Sequence, residues 1–126
     1  MYITPNRLSL NDGDGYFEML EGTGADQAMF AMGAARGDVN DDGVMDFFIT
    51  NISAPSLLMG DGVGGYYDGT RAMGVYIPPE EERLVSWGTG FVDINQDTYL
   101  DLGVVYGTLS GDVSDLEDYA ASQGEG

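Results

Sequence analysis

Two nine-residue segments set 55 positions apart, Asp38-Val-Asn40-Asp41-Asp42-Gly43-Val44-Met45-Asp46 and Asp93-Ile-Asn95-Gln96-Asp97-Thr98-Tyr99-Leu100-Asp101, restrict what this chain can fold into more than any bulk property does. Each puts oxygen-bearing side chains at positions 1, 3, 5 and 9. In a tightly curled loop, alternate side chains converge on one point and the carbonyl at position 7 faces the same way, which is how a loop wraps a hard divalent cation. The first segment predicts a calcium shell of Asp38, Asn40, Asp42, the Val44 carbonyl and Asp46, with Gly43 at the sharp turn where a positive φ is expected. The second predicts Asp93, Asn95, Asp97, the Tyr99 carbonyl and Asp101. There Thr98 takes the glycine's place, and a β-branched residue is strained in the left-handed region, so the second site is expected to bind calcium more weakly. Magnesium fits less well, because it demands near-octahedral geometry and gives up water reluctantly.

A helix-loop-helix calcium loop begins in the same way but closes its shell with a bidentate carboxylate at position 12. Position 12 is Ile49 in one segment and Val104 in the other, and neither can ligate. Each segment runs instead into a short β-rich stretch, Asp46-Phe47-Phe48-Ile49-Thr50 or Asp101-Leu102-Gly103-Val104-Val105-Tyr106. Asp, Asn and Gly also mark ordinary hairpin turns. Two segments with matched spacing and matched flanks favour the metal reading over that one.

Composition narrows the partners. The 22 acidic residues stand against four arginines and no lysine, a net charge of −18 that repels nucleic acid and anionic membrane surfaces. Two calcium ions would bring the formal charge only to −14, so solvated acidic loops and tail account for most of the excess. The chain has no cysteine, which excludes disulfides and thiolate metal sites, and no histidine, which removes the commonest acid–base group near neutral pH. No apolar run reaches the roughly 18 residues of a membrane span, so membrane insertion is not expected. The start, Met1-Tyr2-Ile3-Thr4-Pro5, lacks the basic and apolar regions of a signal peptide, which implies either a cytoplasmic chain or a true start further upstream. With 126 residues and 43% apolar content there is enough for one ordinary domain, and 20 glycines with eight tyrosines predict short strands joined by tight turns.

The loops belong to a longer repeat. Residues 30–38 match 86–93 in character, and Arg7-Leu8-Ser9-Leu10-Asn11-Asp12-Gly13-Asp14-Gly15-Tyr16-Phe17 resembles Ser56-Leu57-Leu58-Met59-Gly60-Asp61-Gly62-Val63-Gly64-Gly65-Tyr66-Tyr67, each a hairpin signal. One full unit would have strands near 30–37, 46–51, 56–60 and 65–69, preceded by a half-unit near 7–10 and 15–19 and followed by another near 86–92 and 101–106. The expected fold class is all-β, made of antiparallel four-stranded propeller blades, about two blade equivalents in all, a partial β-propeller. Propellers close with roughly four to eight blades, so the chain is expected to be part of a longer propeller or to complete itself as a homo-oligomer. Residues 1–107 form the repeat region and 108–126 an acidic tail, in which Ser114-Asp115-Leu116-Glu117 fits the capping box of a short helix through about Ser122. Residues 70–85, with Pro78-Pro79 and Glu80-Glu81-Glu82, read as an exposed connection between blades.

The stretches GDVNDDGVMDFFITN and SWGTGFVDINQDTYLDLGVVYG resemble FG-GAP/VCBS repeats, particularly those of the cartilage-acidic-protein and ASPIC/UnbV-type group, over roughly residues 6–107. The resemblance implies an integrin-α-like propeller with calcium in its outer loops, in a secreted, periplasmic or cell-surface protein that binds a protein or glycan partner rather than turning over a substrate. Thr98 and Gln96 depart from that pattern in the second loop. An alternative is a subunit of a self-assembling extracellular structure, in which free strand edges pair between chains. A carbohydrate-active enzyme is less favoured, since most candidate carboxylates already sit at calcium-ligand spacing. Phe47, Phe48, Trp87 and Phe91 read as blade-packing residues, Asn51-Ile52-Ser53 matches the N-glycosylation acceptor, and the arginines are expected to pair with nearby carboxylates.

Overall fold

The structure, a computed structural model, describes residues 3–77 and 84–107. Among these residues the fold is all-β and without helix. Eight strands run in chain order: β1 (Leu8–Asn11), β2 (Phe17–Leu20), β3 (Ala34–Gly37), β4 (Asp46–Ile49), β5 (Ser56–Gly60), β6 (Tyr66–Asp68), β7 (Val85–Val92) and β8 (Asp101–Gly107). They form three antiparallel sheets, β1-β2, β3-β4-β5-β6 and β7-β8. The expected strands fall in place with their ends shifted. Strand β3 starts at Ala34 rather than near residue 30, and β4 stops at Ile49, after which Thr50 N–H donates to the Gly33 carbonyl at 2.9 Å and Met32 N–H to the Thr50 carbonyl at 3.1 Å. The capping-box helix and the Pro78-Pro79 dipeptide lie outside the described residues.

Turn chemistry fixes the hairpins. Asp12 Oδ1 accepts the N–H groups of Asp14 (2.8 Å) and Tyr16 (3.2 Å), and Asp61 Oδ1 accepts those of Val63 (2.8 Å) and Gly65 (2.9 Å). The two turns share one frame, with Gly13 and Gly15 in the first and Gly62 and Gly64 in the second at positive φ. The registers agree as well, since Asn11 pairs with Phe17 as Gly60 pairs with Tyr66.

The four-stranded sheet is covered on both faces, which is why β5 reads Leu57-Leu58-Met59 without polar alternation. On one face Ala35, Phe48, Leu57 and Met59 pack against Phe91, Leu102 and Val104 of β7-β8. On the other, Ile49 and Leu58 pack with Ala25, Met29, Phe47 and Tyr66. A groove of about 420 Å³ on this second face is lined by Arg7 and Leu8 on one side and by Ala34, Ile49 and Leu58 on the other. The β1 and β8 ends of the chain therefore lie on opposite faces of the central sheet.

A polar seam joins β7 to the end of β4. Thr50 Oγ1 donates to the Trp87 carbonyl at 2.7 Å, Asn51 N–H donates to Ser86 Oγ at 3.0 Å, and Ser86 is fully buried. Trp87 itself is 38% exposed, because a register shift between Ser86 and Thr89 lifts it off the ladder, whereas Phe48 is 1% exposed. The Asn51 amide is committed to the backbone, accepting from Phe30 and Ile52 and donating to Ala54. Arg71 stacks on the Tyr76 ring at 4.8 Å, a cation–π contact.

Candidate metal centre

Each nine-residue segment is the connection of a hairpin, between β3 and β4 or between β7 and β8. Its last carboxylate, Asp46 or Asp101, is the first residue of the returning strand. In the first loop Asp38 Oδ1 accepts Asp42 N–H at 3.1 Å and Oδ2 accepts Gly43 N–H at 2.7 Å. Asp42 Oδ1 accepts Val44 N–H at 2.9 Å, its Oδ2 accepts Asn40 Nδ2 at 3.1 Å, and Asp46 Oδ2 accepts Val39 N–H at 2.9 Å. In the second loop Asp93 accepts Asp97 N–H at 3.0 Å and Thr98 N–H at 2.8 Å. Asp97 accepts Tyr99 N–H at 3.0 Å and Asn95 Nδ2 at 3.1 Å, and Asp101 accepts Ile94 N–H at 2.8 Å. The two frames agree bond for bond, with Asp41 and Gln96 both at φ 60°.

The expected glycine position behaves as the sequence reading requires. Gly43 has φ 83° and Thr98 has φ 77°, so a β-branched residue holds a left-handed conformation that costs it on the order of 1–2 kcal/mol. Replacing Thr98 with glycine relieves that strain. Thr98→Gly is expected to raise unfolding stability by about 1 kcal/mol, read from chemical denaturation, while Gly43→Thr lowers it by a similar amount.

The loops differ in their supports. Asp46 is fully buried, and its Oδ1 accepts a further N–H from Gly60 on β5 at 2.9 Å. An added Cβ at Gly60 would lie 2.7 Å from the Met45 carbonyl oxygen, so only glycine lets β5 approach the first loop this closely. Sequence reasoning missed this role, although glycine at residue 60 where the paired hairpin has Asn11 was the available signal. The second loop has no such strand beside it among the described residues, and Asp101 is only half-buried. The loops adjoin at one end of the sheet stack, where Gly37 meets Phe91 and Leu100.

All ligand candidates are hard oxygen donors. Each carboxylate oxygen of Asp38, Asp42, Asp93 and Asp97 serves one loop donor and keeps a second lone pair. The donor chemistry fits a calcium ion, although among the described residues no three carboxylates already gather into a closed metal-holding group. Elsewhere, backbone N–H donors from Val63 and Gly65 hold the Asp61 carboxyl below its ordinary pKa range, and those at Gly22, Asp26 and Gly24 do the same for Asp26. Comparison of the chain with protein-family models, curated proteins and solved structures returned no match.

Proposed function

We propose that this chain is a calcium-binding, calcium-stabilised β-propeller repeat module, of the FG-GAP/VCBS kind, that presents a blade surface to a protein or glycan partner at the cell exterior. The observation that carries the reading is the bond-for-bond agreement of two loops from separate hairpins, including two matched positions at positive φ, Asp41 with Gln96 and Gly43 with Thr98. A generic turn has no reason to repeat position 9, whose carboxylate returns to the N–H of position 2 and anchors the next strand. In this reading the loop's own N–H groups orient Asp38, Asp42 and Asp46 before any ion arrives. Asn40 donates to Asp42 through Nδ2, which leaves its Oδ1 as the ligand atom.

Calcium here is a structural clamp. Without it, like charges about 4 Å apart repel by on the order of 4 kcal/mol at an effective dielectric near 20, which loosens the loop and the angle between its two strands. Extracellular modules commonly bind calcium with Kd around 0.1–1 mM, a level at which the ion acts as a permanent staple rather than a signal. At a free concentration about 100 times Kd, one site stabilises the fold by about 2.7 kcal/mol, worth roughly 10 °C in Tm for a domain of this size. The test is thermal unfolding and isothermal titration of chelator-stripped protein with calcium, beside Asp42→Ala and Asp97→Ala variants. Two binding events are expected, the tighter lost with Asp42 and the weaker with Asp97. Absence of both heat and stabilisation would refute the reading.

A further inference from the structure

We propose that the turn between β1 and β2 is a site of covalent self-modification, at which Asp14 converts through a succinimide to isoaspartate faster than any other Asp-Gly pair of the folded chain. Five such pairs occur, beginning at Asp12, Asp14, Asp42, Asp61 and Asp68. In the first step the glycine nitrogen attacks the carboxyl carbon of the preceding aspartate. An N–Cγ bond forms, the nitrogen gives up its proton, the carboxyl gives up a hydroxyl, and water leaves. A second water then opens the ring. Cleavage of the new bond restores aspartate, whereas cleavage of the original peptide C–N bond leaves the chain running through Cγ and the old carbonyl carbon as a free carboxylate. Glycine favours the attack because it has no Cβ to hinder its nitrogen and its backbone turns freely.

The step needs a free glycine N–H and a free carboxyl together, and the fold withholds one or both from four of the five pairs. Gly43 N–H donates to Asp38 Oδ2 at 2.7 Å, while Asp42 accepts Val44 N–H and Asn40 Nδ2. Gly69 N–H donates to the Leu57 carbonyl at 2.8 Å, and Asp68 Oδ1 accepts Thr70 N–H at 2.9 Å. Gly13 N–H donates to Asn11 Oδ1 at 2.8 Å, and Asp12 Oδ1 accepts the N–H groups of Asp14 and Tyr16. At Asp61 it is the carboxyl that is held, by Val63 and Gly65 N–H. Those bonds also keep it below its ordinary pKa range, whereas water leaves from the protonated acid. Asp14 has neither restraint among the described residues: it is exposed, its carboxylate accepts no hydrogen bond, and Gly15 N–H has no acceptor. Each hydrogen bond that has to break before attack slows the step by about tenfold. In the product one added carbon lies between Asp12 N–H and the Tyr16 carbonyl, the 2.9 Å bond that closes the turn, so the modified hairpin frays from Asn11 and Phe17.

The chain supplies its own control. The β5-β6 turn has the same frame with Val63 in the place of Asp14, so Asp14→Val removes the reacting carboxyl and keeps a residue that this turn already accepts. With no lysine in the chain, trypsin cuts at Arg7, Arg36 and Arg71 and separates residues 8–36, which hold Asp12 and Asp14, from residues 37–71, which hold the other three pairs. The full chain is aged for weeks at physiological temperature, once folded and once in denaturant. Its tryptic peptides are then labelled with an isoaspartyl methyltransferase and a radioactive methyl donor, and the labelled position is found by electron-transfer fragmentation. From the folded chain, label in 8–36 is expected at about tenfold or more above that in 37–71, located at Asp14 and lost in Asp14→Val. From the denatured chain both peptides should be labelled to a similar extent, because the restraints are gone. Equal labelling of the two peptides from the folded chain, label at Asp12, label that survives Asp14→Val, or a folded chain that stays unlabelled while the denatured one reacts would each overturn the proposal.

Discussion

Asp46→Ala is expected to destabilise the fold by about 3 kcal/mol, whereas Asp101→Ala costs about 1 kcal/mol, although the two residues hold the same place in the same loop. Asp46 has no exposed surface and ends two backbone N–H groups, those of Val39 and Gly60, at 2.9 Å each. Removing it leaves both donors without an acceptor, one of them on the buried strand β5, and each buried orphan costs about 1–3 kcal/mol. Asp101 ends only Ile94 N–H among the described residues, and water can replace it there. Against a total stability of about 5–15 kcal/mol, the loss at Asp46 lowers Tm by roughly 11 °C. Asp46→Asn should fall between, since the amide oxygen satisfies one N–H while its NH2 group confronts the other. Denaturant unfolding in chelator isolates this structural share, because no ligation is then at stake. Repeating it in calcium adds the share due to ligation, and equal losses at Asp46 and Asp101 in chelator would contradict the role given to Gly60.

That asymmetry bears on how the two loops could work. The first is backed by β5, with Val44 and Met45 wedged against Gly60, so its acceptors are held in place by the sheet core. The second has no such strand beside it among the described residues and carries Thr98 at φ 77°. Both differences act in one direction, toward a tighter first site and a looser second.

The strand order and the loops were legible in the sequence because each rests on local chemistry. Asp-Gly turns, the spacing from Asp38 to Asp46 and the apolar run Leu57-Leu58-Met59 each dictate their own conformation without help from distant residues. What the sequence hid depends on tertiary contact. Trp87 read as a packing residue, yet the register shift beside it turns it partly to solvent. The stacking of Arg71 on Tyr76 was likewise invisible in the sequence. Gly60 read as the end of a strand, and only the approach of the Met45 carbonyl reveals why a side chain is excluded there. Ring closure likewise needs contacts between units, and the described residues contain one four-stranded sheet and two two-stranded ones.

Phe48→Ala is expected to cost about 3–5 kcal/mol, enough to leave the fold marginal. The adjacent pair Phe47-Phe48 invites the expectation that either aromatic would serve as core, but strand alternation sends them to opposite faces. Phe48, 1% exposed, fills the space between the central sheet and β7-β8 with Ala35, Leu57 and Met59, while Phe47 is half-buried and leans on Tyr66 at the other face. Its removal opens a cavity beneath Phe91, Leu102 and Val104, the residues through which β7-β8 rests on the sheet. Phe47→Ala should cost less than Phe48→Ala, because its site is already open to water. The consequence for the second loop is specific: with β7-β8 loosened, the Asp93–Asp101 connection loses the fixed strands that span it. Weaker calcium binding at the second site with the first site retained is therefore expected in Phe48→Ala at a temperature where it remains folded, measured by titration calorimetry. Equal weakening at both sites would instead place Phe48 in the support of the first loop as well.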